Sequence, residues 1–117
     1  MSFLVDTGAD TTVLMQTDGA RLGLDYSRLK NETFAIGVGG EAKIYREPVN
    51  LVFSEAGTRI HLYVLDLHVL EPKSANKTMP SLLGRDILNR WRMSYNATNK
   101  RLFFEVLSAD LTRAIPA

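Results

Sequence analysis

Apolar residues occur along the chain in short runs that turn-forming residues separate. Short runs rich in Val, Ile, Leu, Phe and Tyr, punctuated at close intervals, are typical of β-strands. A mostly-β domain is therefore predicted. The predicted strands are residues 3–5, 33–38, 49–53, 60–65 and 102–106.

Turn signals between the runs predict two hairpins and one polar loop. Gly57 in "SEAGTR" and the segment "NATNK" before Arg101 each favour a tight turn between strands. The polar stretch "KSANKTM" lies between Pro72 and Pro80 and predicts a loop.

Two short helices are predicted between the strands. One covers residues 17–22 and stops at Gly23, which favours a left-handed helix cap. The other covers residues 86–91 and opens with Asp86, whose carboxylate is predicted to cap the free N–H groups of the first turn.

Composition and charge narrow the class of protein. The chain has 117 residues, is 45% hydrophobic and suits a single domain over residues 1–117. Its formal net charge is +1 and its cations are scattered, so no nucleic-acid partner is predicted. No apolar run approaches the roughly 18 residues of a membrane span, and the N-terminus lacks secretory-signal features, so we expect a soluble domain without a membrane segment.

Cysteine and histidine usage argues against a metal site. Cysteine is absent, which excludes disulfides, thiolate ligands and cysteine nucleophiles. His61 and His68 are seven residues apart in a strand-like region, whereas a zinc site needs a third close ligand. No metal is therefore predicted.

The stretch "FLVDTGADTTVL" places a lone carboxylate, Asp6, at the end of an apolar strand. Thr7 and Gly8 follow it, and glycine lets the backbone fold close around the side chain. Taken alone, this turn has two interpretations, a structural Asx-type turn or a functional carboxylate.

Two further segments bear on that choice. Residues 35–45, "AIGVGGEAKIY", form a glycine-rich tip between two strand-like runs, which predicts a mobile β-hairpin. Residues 81–88, "SLLGRDIL", form a second apolar strand that ends on glycine and leads into a short helix.

These three segments, in this order, resemble those of the retroviral-type, retropepsin-like aspartic proteases. There, "DTGA" carries the catalytic aspartate, a "GxGG" hairpin forms the flap, and an apolar-apolar-Gly-Arg-Asp/Asn segment supports the active-site loop. The resemblance covers residues 3–96, and "QTDGARLGL" and "ILNRWRMSYN" are more similar to bacterial than to viral members.

The resemblance implies a half-barrel fold, active as a symmetric homodimer, and an aspartic endopeptidase that needs no cofactor. Its substrate would be a peptide or protein, hydrolysed by water activated between two Asp6 carboxylates. Thr7 would link the two active-site loops through its hydroxyl, and Gly8 would offer its carbonyl to the substrate. Asp10 and Arg85 would form an ion pair. The other scaffold residues implied are Ala9, Gly84 and Asp86.

The resemblance also implies a flap and substrate subsites. Ile36 stands where viral flaps often carry another glycine, which suggests a stiffer or differently closing flap. An apolar preference around the cut bond is expected. The flap residues are Ile36, Gly37, Val38, Gly39 and Gly40, and the subsite residues are Val13, Met79, Pro80, Leu82 and Val38.

Two alternative functions compete with the protease. "GVGGEA" fits a dinucleotide-binding fingerprint, but the following "KIYREPVNLVF" is β-rich and broken by Pro48, so no phosphate-binding helix is available. A catalytically silent module for dimerisation or peptide binding stays open. Only five residues precede Asp6, so the family's N-terminal strand is expected to be truncated or replaced, and residues 101–107 could supply an interface strand.

Overall fold

The computed structural model describes residues 1–37 and 40–116. Within these described residues, nine strands, two short α-helices and two 3₁₀ turns follow one another. The strands are β1 (Phe3–Val5), β2 (Val13–Leu14), β3 (Glu32–Gly37), β4 (Gly40–Glu55), β5 (Arg59–Leu70), β6 (Ser81–Leu83), β7 (Trp91–Asn96), β8 (Arg101–Val106) and β9 (Leu111–Ala114). The helices are α1 (Gln16–Arg21) and α2 (Arg85–Leu88), and the 3₁₀ turns are Tyr26–Arg28 and Ser74–Asn76.

Most strands join one curled, half-barrel sheet, as the mostly-β prediction requires. The order of the strands in this sheet is β1-β6-β2-β5-β4-β3, and β9 pairs with β5. The β1–β6 and β2–β5 pairs are parallel. Strands β7 and β8 form a separate antiparallel hairpin.

The predicted strands are present, and β4 and β5 extend well beyond their predicted bounds. Pro48 lies inside β4 without ending the strand. Strand β3 pairs with β4 only as far as Tyr45, so no β3 residue lies opposite Pro48. On that side of β4 the missing N–H of proline breaks no hydrogen bond of the β3–β4 ladder. The predicted turn at Gly57 joins β4 to β5, and Gly57 has φ 70°.

Helix α1 lies one residue before its predicted position, and Gly23 follows it with φ 68°, as expected for a left-handed cap. The prediction for the second helix was wrong at both ends. Helix α2 ends at Leu88, and Gly84 rather than Asp86 is its N-cap. The chain becomes extended at Trp91 because "WRMSYN" pairs with β8.

Aromatic side chains form the centre of the larger of two hydrophobic clusters. Trp91 donates from Nε1 to the Tyr63 hydroxyl at 2.7 Å, which donates to the carbonyl oxygen of Ser108 at 2.8 Å. Phe53 meets the Trp91 ring edge-on, with centroids 4.8 Å apart. This cluster also contains Leu83, Ile87 and Leu88, and it therefore fixes β6 and α2 under the Asp6 turn.

Strand β9 is attached to β5 partly through His61. This buried imidazole contacts the Thr112 hydroxyl from Nδ1 at 3.0 Å and the Glu55 carboxylate from Nε2 at 2.8 Å. Both ring nitrogens therefore have protein partners. Among the described residues, no group of three or more metal-ligating side chains occurs.

Candidate active site

The Asp6 carboxylate sits on a turn that the backbone closes around it. Strand β1 ends at Val5, and the N–H of Asp6 continues the ladder to the carbonyl oxygen of Leu83 at 3.0 Å. The N–H of Gly8 donates to Asp6 Oδ1 at 2.9 Å, and the N–H of Ala9 donates to the carbonyl oxygen of Asp6 at 3.1 Å. An Asx-type turn thus presents the half-buried carboxylate at the edge of the sheet.

A second set of hydrogen bonds supports this turn from beneath. The buried Thr12 donates from its backbone N–H and from its hydroxyl to the two oxygens of Asp86, at 2.9 and 2.7 Å. The Thr12 hydroxyl also accepts from the N–H of Gly84 at 3.2 Å. Asp86 was expected to cap helix α2, but its carboxylate joins that helix to the chain beyond the Asp6 turn. It also accepts from its neighbour Ile87 N–H at 2.9 Å.

Arg85 contacts the Asp6 turn in two ways. Its backbone N–H donates to the carbonyl oxygen of Ala9 at 2.8 Å, and its guanidinium forms an ion pair with Asp10. The Arg85 and Asp10 side chains are 46% and 81% exposed, so solvent screens their attraction. A pair this exposed contributes less than about 1 kcal/mol to stability, and Arg85 acts mainly through its backbone.

The glycine-rich hairpin forms from β3 and β4, which pair from Glu32 and Tyr45 out to Gly37 and Gly40. Ile36 pairs with Glu41 near the end of this ladder. The expected flap tip is residues 37–40, and its middle residues, Val38 and Gly39, lie outside the described residues.

Apolar residues flank Asp6 on its own face of the sheet. Leu82 pairs with Leu4 on one side and with Val13 on the other, giving a row across three strands. Alternate residues of a strand share a face, so Leu4 and Asp6 lie on the same side of β1. The structure thus brings the predicted Val13 and Leu82 together. It adds Leu4, 55% exposed, which a period-two reading of "FLVD" could have identified.

Of the other predicted subsite residues, Val38 lies outside the described residues, and Met79 and Pro80 lie away from Asp6. Met79 and Pro80 precede β6, at the end of the β1–β6 pair opposite Asp6. Both are exposed, and they line a groove of about 230 Å³ beside α1, together with Thr17 and Arg21. A monomer therefore does not place them next to the carboxylate.

An exposed apolar surface adjoins the Asp6 turn. The pairs Met93–Phe104 and Tyr95–Leu102 lie on one face of the β7–β8 hairpin. These four side chains are 37–70% exposed. Met93, Tyr95 and Leu102 line a groove of about 280 Å³ with Val5 and Thr7, the residues on either side of Asp6. We call this surface the hairpin face.

His68 lies behind the same framework. Its Nδ1 is 3.2 Å from the Thr11 hydroxyl, and its backbone N–H donates to the carbonyl oxygen of Thr12 at 3.3 Å. Burial lowers the pKa of His68 below 6.5, and the Arg46 guanidinium lowers it further, against the attraction of the carboxylates Asp86 and Asp66.

This lowered pKa predicts an acid-sensitive fold. The unfolded chain binds the His68 proton more readily than the folded chain. Stability therefore falls as the pH drops below the pKa of His68 in the unfolded chain, near 6.5, toward its lower pKa in the folded chain. We expect the thermal midpoint to fall less in His68→Gln than in the wild type between about pH 7.5 and 5.5. Equal falls in the two proteins would contradict the assignment.

Comparisons with known proteins place these observations in context. The model of the family described as "gag-polyprotein putative aspartyl protease" matches residues 1–90. A solved structure, a retropepsin-like aspartic protease from Rickettsia conorii, aligns at 25% identity with a TM-score of 0.58. That alignment covers 88% of this chain and 78% of the other. None of the curated proteins compared with the chain matches it. The family match spans the Asp6 turn and α2 and ends just before β7.

Proposed function

Since the chain belongs to the gag-polyprotein aspartyl protease family, we propose that it is an aspartic endopeptidase whose site forms from two Asp6 carboxylates in a symmetric homodimer. The observation that carries the proposal is the Asp6 turn, which holds a carboxylate at a sheet edge beside the exposed hairpin face. We further propose that residues 1–117 form one domain.

A twofold axis beside Asp6 would complete the site. Each chain supplies one Asp-Thr-Gly turn, so a pair of catalytic carboxylates requires two copies that contribute the same surface. Thr7 is exposed next to Asp6, and we propose that its hydroxyl contacts the equivalent residue of a partner. Gly8 lies one residue further along and would offer its carbonyl oxygen to the substrate backbone.

The chemistry follows from two carboxylates at contact distance. Two like charges that close repel each other strongly, so one proton would be held between the two carboxylates, as in aspartic-protease dyads. The charged Asp6 takes a proton from water, which attacks the peptide carbonyl. The protonated Asp6 hydrogen-bonds the carbonyl oxygen as negative charge develops there. No cofactor takes part in these steps.

The hydrogen bonds to Asp6 suit this role. In the described part of the chain the carboxylate accepts one hydrogen bond, from Gly8 N–H to Oδ1. That bond fixes the orientation of the side chain and leaves Oδ2 for water or for the partner's carboxylate. Rigid placement of a reacting group lowers the entropic part of the barrier.

The hairpin face is the surface we assign to the dimer. Its four exposed side chains are apolar, and an uncovered apolar patch on a soluble protein marks an interaction site. It adjoins Thr7, so a partner seated on it would bring its own turn toward Asp6. Dimerisation and assembly of the dyad would thus be one event.

The substrate side of the proposal rests on the row Leu4, Leu82 and Val13. These side chains lie on the Asp6 face and favour apolar groups on both sides of the cut bond. The β3–β4 hairpin, with Ile36 to Gly40, would close over the peptide and exclude water. Met79 and Pro80 would contact substrate residues further from the cut.

Activity per chain is expected to fall on dilution below the dimer dissociation constant, because a monomer has no dyad. Excess Asp6→Asn chains added to the wild type should lower activity further, since heterodimers carry one carboxylate and one amide. Peptide hydrolysis is measured against protein concentration, with light scattering to follow the dimer. The shared site would be contradicted if specific activity stayed constant down to protein concentrations at which light scattering detects only monomers.

Two variants of the β7–β8 hairpin test whether the hairpin face forms the dimer. Tyr95→Arg places a charge on the hairpin face and should weaken dimerisation and activity together. Phe103→Arg is its matched control, because Phe103 is also exposed but pairs with Ser94 on the opposite face. A silent dimerisation or peptide-binding module would dimerise in the same way and cleave nothing at any concentration.

A further inference from the structure

The loop of residues 71–80 ties the β3–β4 hairpin to the body of the protein. Lys73 Nζ donates to the carbonyl oxygen of Glu41 at 2.7 Å, near the start of β4. The same ammonium lies 3.5 Å from Glu71 Oε1, which accepts from the backbone N–H of Lys43 at 3.3 Å. The loop therefore holds one leg of the hairpin at two points.

Asn76 gives this loop a fixed shape. Its side chain is buried, and its Oδ1 accepts from Gln16 Nε2 at 2.6 Å and from Lys73 N–H at 3.2 Å. Its Nδ2 donates to the carbonyl oxygen of Glu71 at 3.1 Å, and Gln16 Nε2 also donates to the carbonyl oxygen of Lys73 at 2.7 Å. A buried amide with satisfied donors and acceptors resists rearrangement. Helix α1, which Gln16 begins, is thus joined rigidly to Lys73.

The same loop continues to Met79, whose N–H donates to the carbonyl oxygen of Asn76 at 3.3 Å. One fixed segment therefore carries both the Lys73 ammonium and the Met79 and Pro80 side chains. We propose that Lys73 is a positioning residue that couples the hairpin to this loop, so that peptide affinity and selectivity for the substrate side chain beside Met79 depend on it. This proposal rests on the proposed endopeptidase function.

The contact between Lys73 and the Glu41 carbonyl oxygen predicts an effect on peptide binding rather than on the hydrolysis step. Lys73 contacts the hairpin backbone and not Asp6. We therefore expect it to stabilise the bound complex and the transition state equally, so that its loss raises KM and leaves kcat unchanged. Loss of one charge-assisted hydrogen bond should raise KM by about 3–10-fold in Lys73→Met, with kcat within about twofold. The Lys73→Met variant should also discriminate less well between peptides that differ in the residue facing Met79.

Amide hydrogen exchange tests the coupling without any activity. Lys73→Met keeps the length of the side chain and removes the ammonium, so amides of residues 41–46 should exchange about 3–10-fold faster than in the wild type. Lys77→Met is the matched control, since it removes the same charge from the same loop. Lys73→Arg retains a donor and should restore slow exchange.

The outcomes separate this proposal from the one on which it rests. Unchanged exchange in Lys73→Met, or an equal change in Lys77→Met, would overturn the coupling even if the enzyme cleaves peptides. A faster exchange in Lys73→Met with a normal KM would overturn the role in substrate binding. If the wild type hydrolyses nothing, the endopeptidase proposal fails, and the exchange experiment still decides whether Lys73 holds the hairpin.

Discussion

Asp6→Asn is expected to reduce peptide hydrolysis by at least about 10³-fold, because an amide cannot exchange protons with water as the carboxylate does. The fold should survive. Asparagine keeps an Oδ1 that accepts the Gly8 N–H, so the thermal midpoint should shift by the equivalent of less than about 1 kcal/mol. Initial rates and thermal unfolding measure the two effects separately.

Asp25→Asn provides a matched control for that substitution. Asp25 also accepts a backbone N–H through Oδ1, from Ser27 at 3.0 Å, but it caps the 3₁₀ turn Tyr26–Arg28 and is not part of the Asp6 turn. Its variant should retain full activity. A fully active Asp6→Asn protein would remove Asp6 from the mechanism.

Gly84→Ala is expected to destabilise the protein by about 3 kcal/mol, at the upper end of the cost of overpacking a core site. A Cβ at Gly84 would lie closer than 3.0 Å to the backbone C and O of Thr11 and 2.9 Å from the backbone N of Thr12. Backbone cannot move aside as a flexible side chain does. The Asp6 turn would shift with it, so activity should fall with stability.

Gly57→Ala separates this clash from the general effect of replacing glycine. Gly57 has φ 70° and open space around it, so alanine there suffers left-handed strain of about 1–2 kcal/mol and no clash. Urea unfolding of both variants gives the comparison. A Gly84→Ala protein no less stable than Gly57→Ala would show that β6 and α2 can move apart from the Thr11 backbone.

Local signals in the sequence were sufficient for the elements on which the site is built. The apolar run before Asp6 and the one before Gly84 predicted the two strands that the structure pairs as β1 and β6. Each run is short, mostly apolar and ended by a turn residue, so signals within a few residues were enough to predict a strand. The family match over residues 1–90 then confirmed the resemblance that these motifs carry.

Two features that depend on distant residues were missed, and one local signal was overlooked. The carboxylate of Asp86 fits a helix cap by local rules, but Thr12, 74 residues away, accounts for two of its hydrogen bonds. Strand β7 was predicted in part as helix, although Trp91, Met93 and Tyr95 alternate with polar residues, a period-two signal. The hairpin face emerges only once β7 and β8 are in register.

The distance along the chain between Thr12 and Asp86 also determines when the site can form during folding. Bringing such remote segments together costs loop-closure entropy, and folds rich in such pairings form slowly. During synthesis Asp6 leaves the ribosome before the residues that complete its turn, Leu83 to Asp86. A nascent chain therefore carries the aspartate before Asp86 can bind Thr12, and under the proposed function it cannot cleave peptides until that contact has formed.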